Sequence, residues 1–210
     1  MRVFFGGTFD PVHIGHLRMA TELREILGVD SVYLMPCFDA VHKKTVTSSA
    51  NRLDMLNLAV CDDAGIQIDD REIKRNIPSY TIDSLVELRE EVESESLVMV
   101  MGSDSLLDLA LWKGAEHFSG LANLIFINRP GVVFDEDVVG AELSRLGFTK
   151  ACALGEMKSS SKGLWFQLSL TALDVSSTEI RKAVYEGKSI RYLLKDAVRQ
   201  YICDNELYSA

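Results

Sequence analysis

The chain has 210 residues, of which 47% are hydrophobic and 25% charged, proportions typical of a soluble globular protein and not of a disordered one. Acidic residues outnumber basic residues by 31 to 22, so the net charge of −9 repels polyanions and argues against nucleic acid or an anionic membrane as a partner. We expect a single α/β domain over residues 1–210, with a C-terminal helical part at about residues 177–205.

The cysteines and the apolar runs indicate the cellular compartment of the protein. The 4 cysteines include no Cys-x-x-Cys pair, which favours reduced thiols and predicts neither a disulfide framework nor a zinc site. The first apolar run begins almost at Met1, and no apolar run approaches the length of a membrane span. We therefore expect a cytoplasmic protein, and the sequence leaves open whether it forms a homo-oligomer.

The first sixteen residues predict a strand, a tight loop and a helix. Residues 3–5 are apolar, Gly6 and Gly7 interrupt this run, and apolar side chains recur at helical spacing from Ile14. Glycines allow the main chain to approach a ligand closely, and a helix start presents N–H groups and positive dipole at the same point. This combination favours binding of a phosphate group at the start of the helix.

Two of the chain's 4 histidines lie at this helix start. His13 and His16 are three positions apart, so we expect them to share one face of the first helical turn. The alternatives are a plain turn with core or surface histidines, or a metal pair. Because no Cys or second His motif completes a metal site, the pattern favours two imidazoles facing a phosphate.

The rest of the chain alternates strand and helix patterns, which predicts a doubly wound, mostly parallel, Rossmann-like sheet with helices on both faces. Further strands are predicted at residues 31–35, 66–68, 97–101, 124–127 and 164–171. Helices are predicted at residues 48–60, 137–146 and 191–201, in a segment carrying Leu85, Leu88 and Val92, and in one carrying Ile180 and Val184. Residues 97–101 are continuously apolar, as expected for a central parallel strand buried on both faces.

Ligands of such sheets bind beyond the carboxyl ends of the strands, where the strand order reverses. The Gly6–Gly7 pair and the run Gly102-Ser-Asp104 both follow predicted strands, so we expect them to meet there. Asp104 could either cap the next helix or bind ribose hydroxyls. Trp112 could either pack in the core or stack on a planar ring of a ligand. Arg129, at another strand end, is either a phosphate ligand or a surface residue.

Three polar segments have both a structural and a functional interpretation. The loop at residues 37–47 carries His42 and Lys43, which are either solvated or ligand-binding. Ser79 or Thr81 suits an N-cap, and a helix start beside a cleft can also hold a carboxylate. The hydroxyl-rich run at residues 174–181 exceeds the needs of capping and suits an oligophosphate held by hydroxyls, amides and a guanidinium.

The run Gly-Gly-Thr-Phe-Asp-Pro-Val-His-Ile-Gly-His at residues 6–16 resembles the HxGH motif of the nucleotidyltransferase superfamily. Further runs resemble those of the bacterial-type nicotinate-nucleotide adenylyltransferases, and they lie at residues 71–81, 102–106, 112, 129–131 and 176–181. The matching runs are spread over nearly the whole chain except about residues 132–163. The resemblance implies transfer of AMP from ATP to nicotinate mononucleotide with Mg²⁺, giving deamido-NAD and pyrophosphate in NAD biosynthesis.

The resemblance also implies roles for residues. His13, His16 and Arg181 would be catalytic, and Asp104 would hold the adenosine ribose. The implied ATP-binding residues are Gly6, Gly7, Thr8, Phe9, His13, His16, Gly102, Asp104, Ser176, Ser177, Thr178 and Arg181. The implied nicotinate mononucleotide-binding residues are His42, Lys43, Tyr80, Thr81, Trp112 and Arg129. No protein metal ligand is implied.

One departure and several alternatives qualify this interpretation. The family usually carries Pro-His-Lys in the loop after the second strand, and here Val41 replaces the proline. Residues 12–16 also match the HIGH signature of class I aminoacyl-tRNA synthetases, but the short acidic chain has no tRNA-binding domain. Nicotinamide mononucleotide or phosphopantetheine are alternative acceptors, and a non-catalytic nucleotide sensor on the same fold is a further alternative.

Overall fold

The computed structural model describes residues 1–39, 46–106, 108–127, 136–171 and 173–209, with only the main chain described for Asp104 and Glu136. The predicted ligand-binding residues His42, Lys43 and Arg129 lie outside these ranges. No helix within the described ranges is both long enough and apolar enough to cross a membrane.

Seven parallel strands confirm the predicted fold class. They are β1 (Arg2–Gly7), β2 (Val32–Pro36), β3 (Ile66–Ile68), β4 (Leu97–Gly102), β5 (Asn123–Ile127), β6 (Thr149–Lys150) and β7 (Leu164–Leu168). The strand order in the sheet is β3-β2-β1-β4-β5-β7-β6. This order reverses direction between β1 and β4, as in doubly wound Rossmann-like sheets.

Helices connect the strands. They are α1 (Ile14–Leu27), α2 (Ser49–Val60), α3 (Arg71–Arg75), α4 (Thr81–Val92), α5 (Ser103–Leu106), α6 (Glu136–Arg145), α7 (Glu156–Ser159), α8 (Ser177–Tyr185) and α9 (Asp196–Asp204). Two short 3₁₀ helices lie at Leu109–Leu111 and Ala115–Gly120. The predicted helices at residues 48–60 and 137–146 are confirmed within one residue at each end.

The chain contains two compact units, and the prediction of a single domain stays a prediction. The first unit comprises Met1–Gly6, Leu27–Val29 and Tyr80–Leu170. Its core is the apolar strand β4, whose residues 97–101 are all buried and which pairs in parallel with β1 on one side and β5 on the other. Burial on both faces explains why this strand has no alternation of polar and apolar residues.

The second unit comprises Gly7–Ile26, Asp30–Ser79 and Thr171–Ala210. Here β2 pairs in parallel with β3, and α9 packs on α2. The single hydroxyl proton of Tyr201, on α9, is shared between two acceptors, Asn51 Oδ1 at 3.0 Å and Asp54 Oδ2 at 2.9 Å. Early and late parts of the chain therefore build this unit together.

The structure decides several local alternatives that the sequence left open. Strand β1 includes both glycines, where a tight loop was expected, and the Gly7 carbonyl accepts a hydrogen bond from the Cys37 N–H at 3.1 Å. The N-cap of α4 is Tyr80, and the Ser79 hydroxyl instead accepts a hydrogen bond from the Phe38 N–H at 3.0 Å. Asp104 lies inside α5 and is therefore not its cap.

Other differences concern the outer elements. Helix α9 begins at Asp196 instead of residue 191, and the short elements α3, β6 and α7 were not predicted. On α2 the side chains of Leu53 and Val60 are half-buried. The buried residues of this helix are Arg52, Met55, Leu56 and Ala59.

Candidate active site

The loop between β1 and α1 belongs to the second unit, and it has a tightly constrained main chain. Phe9 has a positive φ of 49° and is only 1% exposed, and the Asp10–Pro11 peptide bond is cis. A Cβ at Gly7 would lie 3.0 Å from Phe9 Cζ, so a larger residue would push the phenyl ring away from this position. A non-glycine residue held at positive φ is uncommon and often marks a functional segment.

The predicted histidine pair is present at the end of this loop. His13 immediately precedes α1 and His16 lies in its first turn, and their rings stack with centroids 3.7 Å apart at 28°. The Phe9 ring meets His16 edge-on at 5.1 Å. A Cβ at Gly15 would lie 3.0 Å from His13 Nδ1, so glycine is needed here for the His13 ring to take this position.

Hydrogen bonding defines the proton position of His16. The His13 main-chain N–H donates to His16 Nδ1 at 3.3 Å, so Nδ1 carries no proton and the neutral ring is protonated on Nε2. The first turn of α1 contains no acidic residue, and its helix dipole is positive at this end. An Nε2–H donor beside a helix N-terminus is suited to an anionic ligand.

The start of α8 lies against the same loop. Ser177 donates its hydroxyl hydrogen bond to the Pro11 carbonyl at 2.9 Å, which joins α8 to the loop. Ser176 is the N-cap: its Oγ accepts from the Glu179 N–H at 3.2 Å and donates to Glu179 Oε2 at 3.1 Å. The capping alternative considered for this hydroxyl run therefore holds for Ser176.

Arg181 also joins α8 to the loop. Its Nη1 donates to the Asp10 carbonyl at 2.7 Å, and its Nη2 donates to Thr178 Oγ1 at 3.3 Å. These two bonds hold the half-buried guanidinium against the segment that ends in His13, while a guanidinium has further N–H groups to offer a ligand. The structure thus brings together the predicted phosphate residues of the two motifs.

Asp10 lies within the HxGH motif at residues 6–16, but it was not predicted as a site residue. Its carboxylate is 2% exposed and accepts three hydrogen bonds: Oδ2 from the Val46 N–H at 2.7 Å and the Thr47 N–H at 3.4 Å, and Oδ1 from the Tyr208 hydroxyl at 2.7 Å. Burial, and then the contact with the Asp10 carboxylate, raise the pKa of Tyr208, so the hydroxyl remains a donor. No local pattern around Tyr208 indicates this contact.

Arg52 on α2 is fully buried and also supports the loop. Its Nη1 donates to the Thr8 carbonyl at 2.8 Å, and its Nη2 donates to the Phe38 carbonyl at 2.7 Å. The guanidinium is also 3.7 Å from Cys37 Sγ. Hydrogen bonds to several main-chain oxygens make burial of this charge tolerable.

The first unit carries the other predicted residues. Phe5 of β1 pairs with Val100 of β4, so Gly6 and Gly102 both lie at the carboxyl ends of neighbouring strands. This placement confirms that the two glycine motifs meet at the strand ends. The main chain of Asp104 follows directly, in α5.

Tyr80, Thr81 and Trp112 are half-buried in the same unit. The Lys113 ammonium lies 4.2 Å from the centroid of the Tyr80 ring and 3.9 Å from Asp83 Oδ2, which places the Trp112 segment beside the start of α4. Lys113 was not predicted, because a single exposed lysine has no distinguishing pattern.

Metal binding depends on the side chains that could serve as ligands of a divalent cation. Within the described ranges there is no cluster of three or more His, Cys, Asp or Glu side chains that could hold a metal ion. Both carboxylate oxygens of Asp10 already accept hydrogen bonds. Mg²⁺ that accompanies a nucleotide commonly takes most of its ligands from phosphate oxygens and water.

Comparison with known proteins agrees with this geometry. Residues 4–183 match the profile of the cytidylyltransferase-like family. A protein of Marinobacter nauticus described as a probable nicotinate-nucleotide adenylyltransferase is 38% identical over 213 residues, covering 100% of this chain and 97% of the relative. A Cellvibrio japonicus protein with the same description is 40% identical over 206 residues, covering 97% of this chain and 96% of the relative.

Solved structures resemble the fold. A Plasmodium falciparum nicotinic acid mononucleotide adenylyltransferase complexed with NaAD has a TM-score of 0.75 and 18% identity, covering 98% of this chain and 96% of that chain. The same enzyme complexed with APC has a TM-score of 0.73. Together with the full-length sequence relatives, the HxGH motif and the strand order, these findings place the chain in the cytidylyltransferase-like family, among the nicotinate-nucleotide adenylyltransferases, which are nucleotidyltransferase enzymes.

Proposed function

We propose that the chain transfers AMP from ATP to nicotinate mononucleotide, giving deamido-NAD and pyrophosphate. The observation that carries the proposal is the stacked pair of His13 and His16 at the start of α1, with Arg181 bonded to the loop that precedes them. The identity of the acceptor is inferred from the full-length relatives, which are described as nicotinate-nucleotide adenylyltransferases.

The reaction requires no general base from the protein. The nucleophile is a phosphate monoester whose second pKa is about 6, so it is largely ionised at neutral pH. One of its oxygens attacks the α-phosphorus of ATP, and the bond from that phosphorus to the α,β-bridging oxygen breaks as pyrophosphate leaves. Catalysis then consists of in-line positioning and stabilisation of the developing charge.

The second unit supplies the groups suited to this stabilisation. His16 Nε2–H and the further N–H groups of Arg181 are donors for phosphate oxygens, and the helix dipoles of α1 and α8 add positive potential. The buried Phe9 and Arg52 hold the loop that orients them. These donors are fixed before substrate arrives, so little reorganisation is needed during reaction.

Mg²⁺ would enter as the ion bound to ATP and would neutralise part of the triphosphate charge. We assign it no protein ligand, because Mg²⁺ commonly keeps several waters and binds substrate phosphates. The protein's own share of charge stabilisation is assigned to the histidines and Arg181.

The nicotinate carboxylate is assigned to the start of α4. Tyr80 is the N-cap of this helix and its side chain makes no capping hydrogen bond, so the positive end of the helix dipole suits a carboxylate. Asp83 in the first turn would repel an anion, but the Lys113 ammonium 3.9 Å away offsets that charge. The half-buried Trp112 is suited to contact with the pyridine ring.

The test is pyrophosphate release with ATP and Mg²⁺, comparing nicotinate mononucleotide, nicotinamide mononucleotide and phosphopantetheine as acceptors under identical conditions. We expect a strong preference for nicotinate mononucleotide and loss of that activity in His16→Ala. Gel filtration of the same sample reports whether the chain forms a homo-oligomer.

Each other outcome identifies a different error. Preference for the amide acceptor would retain the mechanism and refute the carboxylate assignment to Tyr80 and Thr81. Preference for phosphopantetheine would refute the pyridine-nucleotide assignment altogether. Binding of ATP without pyrophosphate release from any acceptor would favour a nucleotide sensor.

A further inference from the structure

A segment near the end of the chain reaches the loop that carries the histidines. After α9, the N–H of Leu207 donates to the Ile202 carbonyl at 3.0 Å, and the Tyr208 hydroxyl then donates to Asp10 Oδ1 at 2.7 Å. All of these residues belong to the second unit. The contact joins positions that are 198 apart in sequence.

Asp10 is a junction of three parts of the unit. Its main-chain carbonyl accepts from Arg181, and its carboxylate accepts from Val46, Thr47 and Tyr208. It is buried and lies three residues before His13. The Tyr208 side chain is therefore bonded to the residue that also positions Arg181.

The main chain around Tyr208 adopts an unfavourable conformation to make this contact. Glu206 and Tyr208 have positive φ values of 51° and 63°. Left-handed conformations are unfavourable for residues other than glycine, so the segment is held in place by its contacts and not by its own preference. The bond to a buried carboxylate is the strongest polar contact that this side chain makes within the described ranges.

We propose that Tyr208 is a positioning residue for the transfer reaction, acting through Asp10 on the loop that carries His13 and holds Arg181. The proposal rests on the proposed function. When the hydroxyl is removed, a buried carboxylate oxygen loses its donor, and Asp10 relaxes together with the carbonyl that Arg181 binds. The expected consequence is a lower kcat, because the phosphate-binding donors lose their fixed geometry.

The experiment compares Tyr208→Phe with a matched control, Tyr201→Phe. Each variant removes one tyrosine hydroxyl that donates to an aspartate of the second unit, but the Tyr201 hydroxyl is bonded to Asp54 and Asn51 on α2. We measure kcat, the KM of both substrates, ATP affinity by calorimetry and thermal stability for each variant. We expect both to lose stability, and only Tyr208→Phe to lose about 10-fold or more in kcat, as for loss of a hydrogen bond to a charged group.

A double-mutant cycle with Asp10→Asn separates positioning from general destabilisation. If Tyr208 acts through Asp10, Tyr208→Phe should have little further effect on kcat in the Asp10→Asn background. Equal kcat in the two tyrosine variants, or an undiminished effect in that background, would refute the proposal. If the wild-type protein transfers AMP to no acceptor, the proposed function fails, and the same comparison made on ATP affinity decides the role of Tyr208.

Discussion

Gly15→Ala is expected to separate stability from activity. A Cβ at this position would lie 3.0 Å from His13 Nδ1 and 3.1 Å from His13 Cε1, distances that force the ring to move by a few tenths of an ångström. Stability should change by no more than about 1 kcal/mol, because alanine is the better helix former. A misplacement of about 1 Å can cost about 10²-fold in rate, so for a shift of a few tenths of an ångström we expect kcat to fall by about 3- to 10-fold.

The matched control is Gly140→Ala on α6. A Cβ there would lie 3.5 Å from Trp165 Cζ2, which is ordinary van der Waals contact, so the helix should gain stability with unchanged kcat. The assays are pyrophosphate release and thermal unfolding of both variants. If Gly15→Ala retains the kcat of the Gly140→Ala control while folded, the position of the His13 ring is not critical and the reasoning fails.

Three further predictions follow from single side chains. His16→Ala should lower kcat by about 10²- to 10³-fold with the circular dichroism spectrum unchanged, and near-normal turnover would remove His16 from the catalytic assignment. Arg52→Met should lower the free energy of unfolding by about 2–4 kcal/mol in urea, because two partly buried carbonyls lose their donor. Arg145→Met, at a side chain that is 79% exposed, should change it by less than about 0.5 kcal/mol. Burial raises the pKa of Glu22, but hydrogen bonds from Thr171 and Arg18 and the positive charge of Arg18 together outweigh burial and hold this pKa below its usual value. The ionised carboxylate therefore stabilises the fold at pH values above its unfolded pKa, and this stabilisation is lost as the pH falls through its folded pKa. We expect Glu22→Gln to have a lower unfolding free energy than wild type at pH 7 and the two values to converge in acid.

Local chemistry in the sequence was sufficient to predict the site's framework. Apolar runs ending in glycine correctly predicted β1 and β4 and the meeting of their carboxyl ends. The spacing of His13 and His16 correctly predicted a shared face at the start of α1, and hydroxyls before an apolar helix predicted the start of α8. These features depend on residues a few positions apart, which is the range over which periodicity and capping act.

The supporting contacts depend on residues far apart and left no local signal. Nothing in the sequence pattern of α2 predicts that Arg52 is buried, and carbonyls of two other segments stabilise its charge. The hydroxyl of Ser79 suited a cap by type, yet a main-chain donor 41 positions away uses it. Tyr208 likewise resembles any tyrosine after a helix until its distant carboxylate partner is known.

The assembly of the second unit from separated segments bears on how the protein is made. Its loop at Asp10 is completed by Arg181 and Tyr208, which are synthesised after the whole of residues 80–170. Contacts of such long sequence separation form slowly because their loop-closure entropy is lost before the contacts form. During translation the histidine loop is thus made first and fixed last, so we expect a nascent chain to gain phosphate-binding geometry only after residue 208 has left the ribosome.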